Sequence, residues 1–121
     1  MTNFSLLCYF KDMNDKETKL QEIKDQLIEF RDKRNWAKYH KVKDLACAIN
    51  IEAGELLDEL VWKTDNEIEN LLKDKETKEI IEMELADVII YCLHFACIVN
   101  TDVARAIEKK MKLNSQKYPE S

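Results

Sequence analysis

An all-α fold follows from three observations on this 121-residue chain. One glycine and one proline leave almost no turn chemistry for β-hairpins. Abundant Glu, Lys, Leu, Ile and Ala favour helices joined by short polar links. Apolar residues also recur at spacings of three and four along most of the chain, the period of a helix with one buried face. The expected architecture is a bundle of four to five helices in one domain, residues 15–121. An arm, residues 1–14, shows no clear period.

From Asp15, the stripe Leu20, Ile23, Leu27 and Phe30 predicts a first helix ending near Lys33. The segment from Arg34 to His40 breaks that stripe and sets Trp36, Tyr39 and His40 among polar residues. A second helix, from about Lys43 to Trp62, carries a core stripe of Leu45, Ile49, Ala53, Leu56 and Leu60. Beside it runs a second line, Glu52, Glu55, Glu59 and Trp62. Gly54 lies in mid-helix, where it costs about 1 kcal/mol against alanine and leaves room for close approach. Thr64 or Asp65 is placed to cap a short helix from Asn66, and Lys73–Lys78 reads as a charged connection.

The long helix expected over 77–99 is the organising element. Ile81, Leu85, Val88, Cys92 and Val99 form one apolar line, and beyond Asp87 the helix is apolar nearly all round. Such a helix needs neighbours on every side, more than one short chain supplies, so the bundle should be completed by a second copy. Thr101 or Asn100 would cap the last helix, with Val103, Ile107 and Met111 on one face. Its other face holds Lys110, Asn114, Lys117 and Tyr118, and Pro119 ends the helical pattern.

A formal charge of −5 argues against binding a nucleic-acid polymer, which calls for a basic surface. It leaves open a small anionic ligand met by a local cation. The four cysteines show no metal-ligand spacing and read as reduced, small hydrophobes. With no signal-peptide pattern at the start, the expected location is the cytoplasm. No apolar run reaches the roughly 18 residues of a membrane span.

Two acidic pairs carry the chemistry. Glu52 and Glu55 leave one face of the second helix, and Glu84 and Asp87 leave one face of the long helix. The second pair lies in an apolar run, where carboxylates are costly unless a cation accompanies them. Twenty-eight intervening residues let the helices return antiparallel, so four carboxylates can converge. Oxygen ligands without Cys or His favour Mg2+, with Mn2+ as a substitute. The plain alternative is a solvated acidic face. A di-iron centre would want Glu-x-x-His, and Ala37 and Tyr91 stand where those glutamates would be.

Trp36, Tyr39, Trp62 and Tyr91 are flat rings beside the acids, suited to stacking a base, although each could equally anchor a core or interface. Lys110, Asn114, Lys117 and Tyr118 could hold phosphate, as could Arg34 and Lys63. Lysines near a helix C-terminus also complement its dipole. His40 and His94 are ambiguous, His94 reading first as a hydrogen-bonded core residue. Carboxylates, a metal, rings and lysines together describe a nucleoside triphosphate site with metal-assisted hydrolysis in the phosphate chain.

At these residues the chain resembles the all-α nucleoside triphosphate pyrophosphohydrolases of the MazG superfamily, with their E-x-x-E and E-x-x-D pairs. It is most similar to the dCTP pyrophosphatases. The matching blocks are Arg34-Asn-Trp36 with His40, Glu52-Ala-Gly-Glu55-Leu, Trp62-Lys-Thr-Asp65, Glu84-Leu-Ala-Asp87-Val-Ile-Ile-Tyr91, and Lys110-Met with Asn114 and Lys117-Tyr118-Pro119. They lie in order over residues 27–119. The resemblance implies a MazG-like bundle assembled as a homodimer or homotetramer, converting dCTP or modified dCTP to the monophosphate and pyrophosphate in nucleotide-pool house-cleaning. It implies Mg2+ on the four acids, Trp36, Trp62 and Tyr91 around the nucleotide, and Lys110, Asn114 and Tyr118 holding it. One departure is Leu27, where animal members carry a base-pocket histidine. The rivals are the same chemistry on dUTP or other noncanonical triphosphates, and a non-catalytic helical module that binds nucleotide or protein.

Overall fold

A computed structural model describes residues 11–121. Cys8 and most of the expected arm lie outside the described residues. Among the described residues there are five α-helices and no strand. They are α1 (Leu20–Lys33), α2 (Val42–Asp58), α3 (Asp65–Lys73), α4 (Lys75–Ile98) and α5 (Val103–Lys117), with a 3-10 turn at Ala37–Tyr39. Helix α4 is the hub. It packs chiefly along α2, with α1 and α3 against other parts of its length. Leu45 of α2 and Leu93 and Ala96 of α4 form the most deeply buried apolar contacts.

The helix ends are set by local hydrogen bonding, and several differ from the sequence expectation. Helix α1 starts at Leu20 rather than Asp15, because Asn14 Oδ1 accepts from the N–H groups of Lys16 and Glu17 and holds a turn there. Both α1 and α4 end in Schellman motifs. The N–H of Trp36 reaches the Arg31 carbonyl and that of Asn35 the Asp32 carbonyl; Thr101 and Asn100 repeat this on Ala96 and Cys97. Asn35 and Asn100 both sit at φ 56°, the left-handed region that asparagine tolerates.

Thr64 caps α3, accepting from Glu67 N–H at 3.2 Å. The charged connection at Lys73–Lys78 is instead a one-residue break. Asp74 ends α3 and caps α4, accepting from the N–H of Thr77 at 3.1 Å and its hydroxyl at 2.6 Å. At α5 the cap is Asp102, not Thr101 or Asn100; it accepts from Arg105 N–H at 3.0 Å. The Thr101 carbonyl has another use. It accepts from Lys24 Nζ at 2.8 Å, and this ties buried Lys24 on α1 to the α4–α5 turn.

The buried side of α4 also differs from expectation. Leu85, Cys92 and Val99 are exposed, as is Ala53 on α2, whereas His94 is buried and Glu84 and Tyr91 are half-buried. A helix apolar on all sides has no one-sided pattern to fix its rotation, so packing against α1 and α2 decides it. Apolar side chains remain uncovered on α2 (Ile51, Leu57) and α5 (Ile107, Met111). No described helix is long and apolar enough to cross a membrane.

Candidate metal and nucleotide site

The antiparallel run of α2 along α4 brings the two acidic pairs together. Carboxylate oxygens of Glu52, Glu55 and Glu84 all lie within 4.8 Å of one another. Asp87, one turn further along α4, stands outside that triad but close enough for its charge to act on both Glu52 and Glu84. Burial raises the Glu52 carboxyl above the usual range; a hydrogen bond with Glu55 and the charges of Glu55, Asp87 and Glu84 push it the same way. Glu84 is raised by burial first, then by the charges of Glu55, Asp87 and Glu59.

Oε2 of Glu52 and Oε2 of Glu84 are buried with no hydrogen-bond partner. None of the four acids forms an ion pair among the described residues. Repelling carboxylates with orphaned oxygens and no Cys or His among them fit a hard divalent cation, which Glu52, Glu55 and Glu84 could hold with Asp87 alongside. Gly54, between Glu52 and Glu55 in sequence, faces open space: a β-carbon there would meet nothing within 4 Å.

Asp87 also lines a cavity of about 400 Å3 between α1 and α4. Its walls include Leu27, Phe30 and Trp36 on one side and Ile90, Tyr91 and His94 on the other. Trp36 stands edge-on to Phe30 at 5.9 Å between ring centres, and Trp36, His40 and Tyr91 line a neighbouring hollow of about 280 Å3 as well. His40 and His94 meet edge to face with ring centres 4.4 Å apart. The Nδ1 atoms of both are buried and unpartnered, a cost of about 1–3 kcal/mol for each such group. Burial, the neighbouring His40 and the Arg31 charge depress His94 to about 4. Burial and Arg31 likewise lower His40. Both imidazoles are therefore neutral at physiological pH.

The other sequence candidates lie elsewhere. Arg34 stacks on Phe30, its guanidinium carbon 3.4 Å from the ring centre, and donates to the Phe30 carbonyl at 3.0 Å. Lys63 donates to the Glu59 carbonyl at 2.9 Å, closing the C-terminal end of α2. Trp62 is 89% exposed and lines neither hollow. On α5, Lys110, Lys117 and Tyr118 are exposed and Asn114 half-buried, with Lys117 Nζ 5.3 Å from the Tyr118 ring centre. The sequence reading missed the cavity-lining roles of Phe30, Arg31 and His94. Only the half-apolar pattern around Phe30 carried a signal for any of them.

The family model for the MazG-like family matches residues 47–121, which span both acidic pairs and α5. The chain belongs to the MazG-like family. Among curated relatives, dCTP pyrophosphatase 1 of Rattus norvegicus is 33% identical over 103 residues, covering 85% of this chain and 61% of that protein. The Homo sapiens protein of the same name is 32% identical with the same coverage. The chain thus spans about three fifths of the length of these curated relatives. A pyrophosphatase from Archaeoglobus fulgidus superposes with a TM-score of 0.78 at 36% identity, over 90% of this chain and 100% of that one.

Proposed function

We propose that this chain is a Mg2+-dependent nucleoside triphosphate pyrophosphohydrolase acting on dCTP or modified dCTP. Water and the triphosphate give the monophosphate and pyrophosphate, with cleavage of the α–β phosphoanhydride. The observation that carries the reading is Asp87, which belongs both to the electrostatic field of the acidic cluster and to the wall of the aromatic cavity. One residue thus adjoins a place for a cation and a place for a flat ring. The relatives named dCTP pyrophosphatase 1 support the choice of substrate.

In this reading Trp36, His40 and Tyr91 hold the base, while Glu52, Glu55, Glu84 and Asp87 hold the metal, with Mn2+ as a substitute. When bound, the divalent cation neutralises phosphate oxygens and acidifies a water. A carboxylate oxygen of the cluster left free of the metal accepts the proton of the attacking water. Association into a homodimer or homotetramer covers the exposed apolar side chains of α2 and α5. It also gives Trp62, Lys110, Asn114, Lys117 and Tyr118 a surface on which to close over nucleotide, with Arg34 and Lys63 at its edge. Residues 15–121 form the working domain, in the cytoplasm.

The test is a panel of triphosphates, dCTP, 5-substituted dCTP, dUTP and the purines, incubated with Mg2+ and assayed for pyrophosphate. Preferred release from dCTP is expected, with turnover lost in Glu55→Gln and Asp87→Asn variants that keep full helicity. Preference for dUTP would move the substrate assignment. Wild-type inactivity on every triphosphate, or full activity in either variant, would overturn the enzymatic reading.

A further inference from the structure

The cavity beside Asp87 is lined by six residues that carry polar side-chain atoms, and two of them are already engaged. Arg31 is occupied by Asp32, through Nε at 2.9 Å and Nη2 at 2.8 Å from the same carboxylate oxygen. Asp87 belongs to the acidic cluster. Trp36 and Tyr91 present ring faces with their polar atoms, and the histidine pair alone adds buried nitrogens without partners among the described residues. His94 is only 6% exposed, on the hub helix, with a buried Nδ1 that no group of the described chain satisfies. It faces a chamber whose other wall presents the carbon side chains of Leu27 and Phe30. Pockets of this kind orient ligands through a small number of placed polar groups.

A neutral imidazole carries one N–H donor and one acceptor, and a hydrogen bond at one nitrogen normally fixes which is which. No hydrogen bond from the described residues fixes His94. Its nearest ring, His40, is itself neutral and has an unpartnered Nδ1. The tautomer is therefore free to follow the ligand, donating to a carbonyl or accepting from an amino group.

We infer that His94 is a specificity-determining residue that reads the polar edge of the base, and that it accepts 4-amino and 4-oxo pyrimidines alike. This rests on the proposed nucleotide site and deepens it. Discrimination between cytosine and uracil must then come from groups other than His94, whereas discrimination between a base and an apolar ring comes from it.

The test separates binding from turnover. Wild-type protein and the variants His94→Leu and His94→Gln are titrated calorimetrically with dCMP, dUMP and 2-deoxyribose 5-phosphate, which lacks a base. His94→Leu is expected to weaken dCMP and dUMP by about tenfold each, the loss of one buried hydrogen bond, and to leave the sugar phosphate unchanged. His94→Gln, which keeps a donor and an acceptor, is expected to recover most of the affinity. Unchanged dCMP binding in His94→Leu overturns the inference. So does an equal loss for the sugar phosphate, a loss confined to one base, or a wild-type protein that binds nucleotide no better than sugar phosphate. Intact, His94-dependent base binding without pyrophosphate release would remove the enzymatic reading and leave this one standing.

Discussion

The acidic cluster and the histidine pair meet along one helix, α4, which gives Glu84 and Asp87 to the first and His94 to the second, and they share one anomaly, buried polar atoms without partners. They differ in the sign of what is missing. Glu52 and Glu84 are held above their usual carboxylate range by burial and by one another, so the defect is relieved by a cation. His40 and His94 are held below their usual range by burial and by Arg31, so their relief is a neutral hydrogen-bonding group. Lys24 is the control within the same molecule. It too is buried, but its Nζ finds the Thr101 carbonyl at 2.8 Å, and nothing more is required of it. A buried polar group with a partner holds the fold together, and one without a partner points to a ligand.

The largest effect should come from the acids. Changing Glu84 to Gln removes one repelling charge, so the metal-free protein should melt higher at neutral pH. The same change should lower pyrophosphate release by about a hundredfold or more. In the wild type, Mg2+ at about 100 times its Kd should add about 2.7 kcal/mol of stability, and in Glu84→Gln most of that gain should vanish. Thermal melts with and without Mg2+ read both changes. A lower metal-free melting temperature in the variant would mean that the cluster is already neutralised by groups of the chain itself.

The histidine side of the comparison predicts a pH dependence of the opposite cause. The folded pKa of His94, about 4, lies below its unfolded value of 6.5. The unfolded chain therefore takes up the proton first as pH falls. Stability should be complete above pH 6.5 and decline between pH 6.5 and about 4, each unit of depression being worth about 1.4 kcal/mol. His40 and Arg31 deepen the depression that burial causes. Urea melts across that range should show the slope in the wild type and a shallower one in His94→Leu. Equal slopes would place the acid sensitivity elsewhere.

How much of this was legible beforehand differs between the two sides. The hub helix and both acidic pairs can be read from spacing alone, because a three-residue interval puts two carboxylates on one helical face whatever the tertiary structure. The rotation of α4 cannot. With apolar residues on every side, the sequence favoured Leu85, Cys92 and Val99 as the inner line, and packing instead turned Glu84, Tyr91 and His94 inward. The unsatisfied Nδ1 of His94 is a tertiary fact, set by what α1 fails to offer across the cavity. Arg34 shows the same limit. A cation beside a predicted phosphate site instead lies flat on Phe30, a contact that depends on the Schellman turn after α1.

Lys24 gives a smaller effect that sharpens the rule. Changing it to Met keeps the length of the side chain but leaves the Thr101 carbonyl without its donor. The cost should be about 1–3 kcal/mol, seen as a shift of the urea midpoint with unchanged slope. Catalytic constants per folded molecule should stay as they were, since Lys24 touches neither the acids nor the base cavity. A large fall in kcat from Lys24→Met would mean that the α4–α5 turn positions part of the site.

The smallest expected effect bears on what lies outside the single chain. Gly54 is exposed in mid-α2, between Ile51 and Leu57, both more than half exposed. An added β-carbon meets nothing within 4 Å. In an isolated chain Gly54→Ala should therefore stabilise by about 0.5–1 kcal/mol, through helix propensity alone. If two copies associate across this face, the glycine is where their backbones come closest, and the methyl group would oppose assembly. The two cases differ in sign and in concentration dependence. Melting temperatures measured across a hundredfold range of protein concentration, with light scattering on the same samples, separate them. A uniform rise favours a free face. A fall that steepens with dilution, with a smaller scattering mass, places a second copy over Gly54 and gives a reason for the lone glycine of the chain to sit between two acids of the cluster.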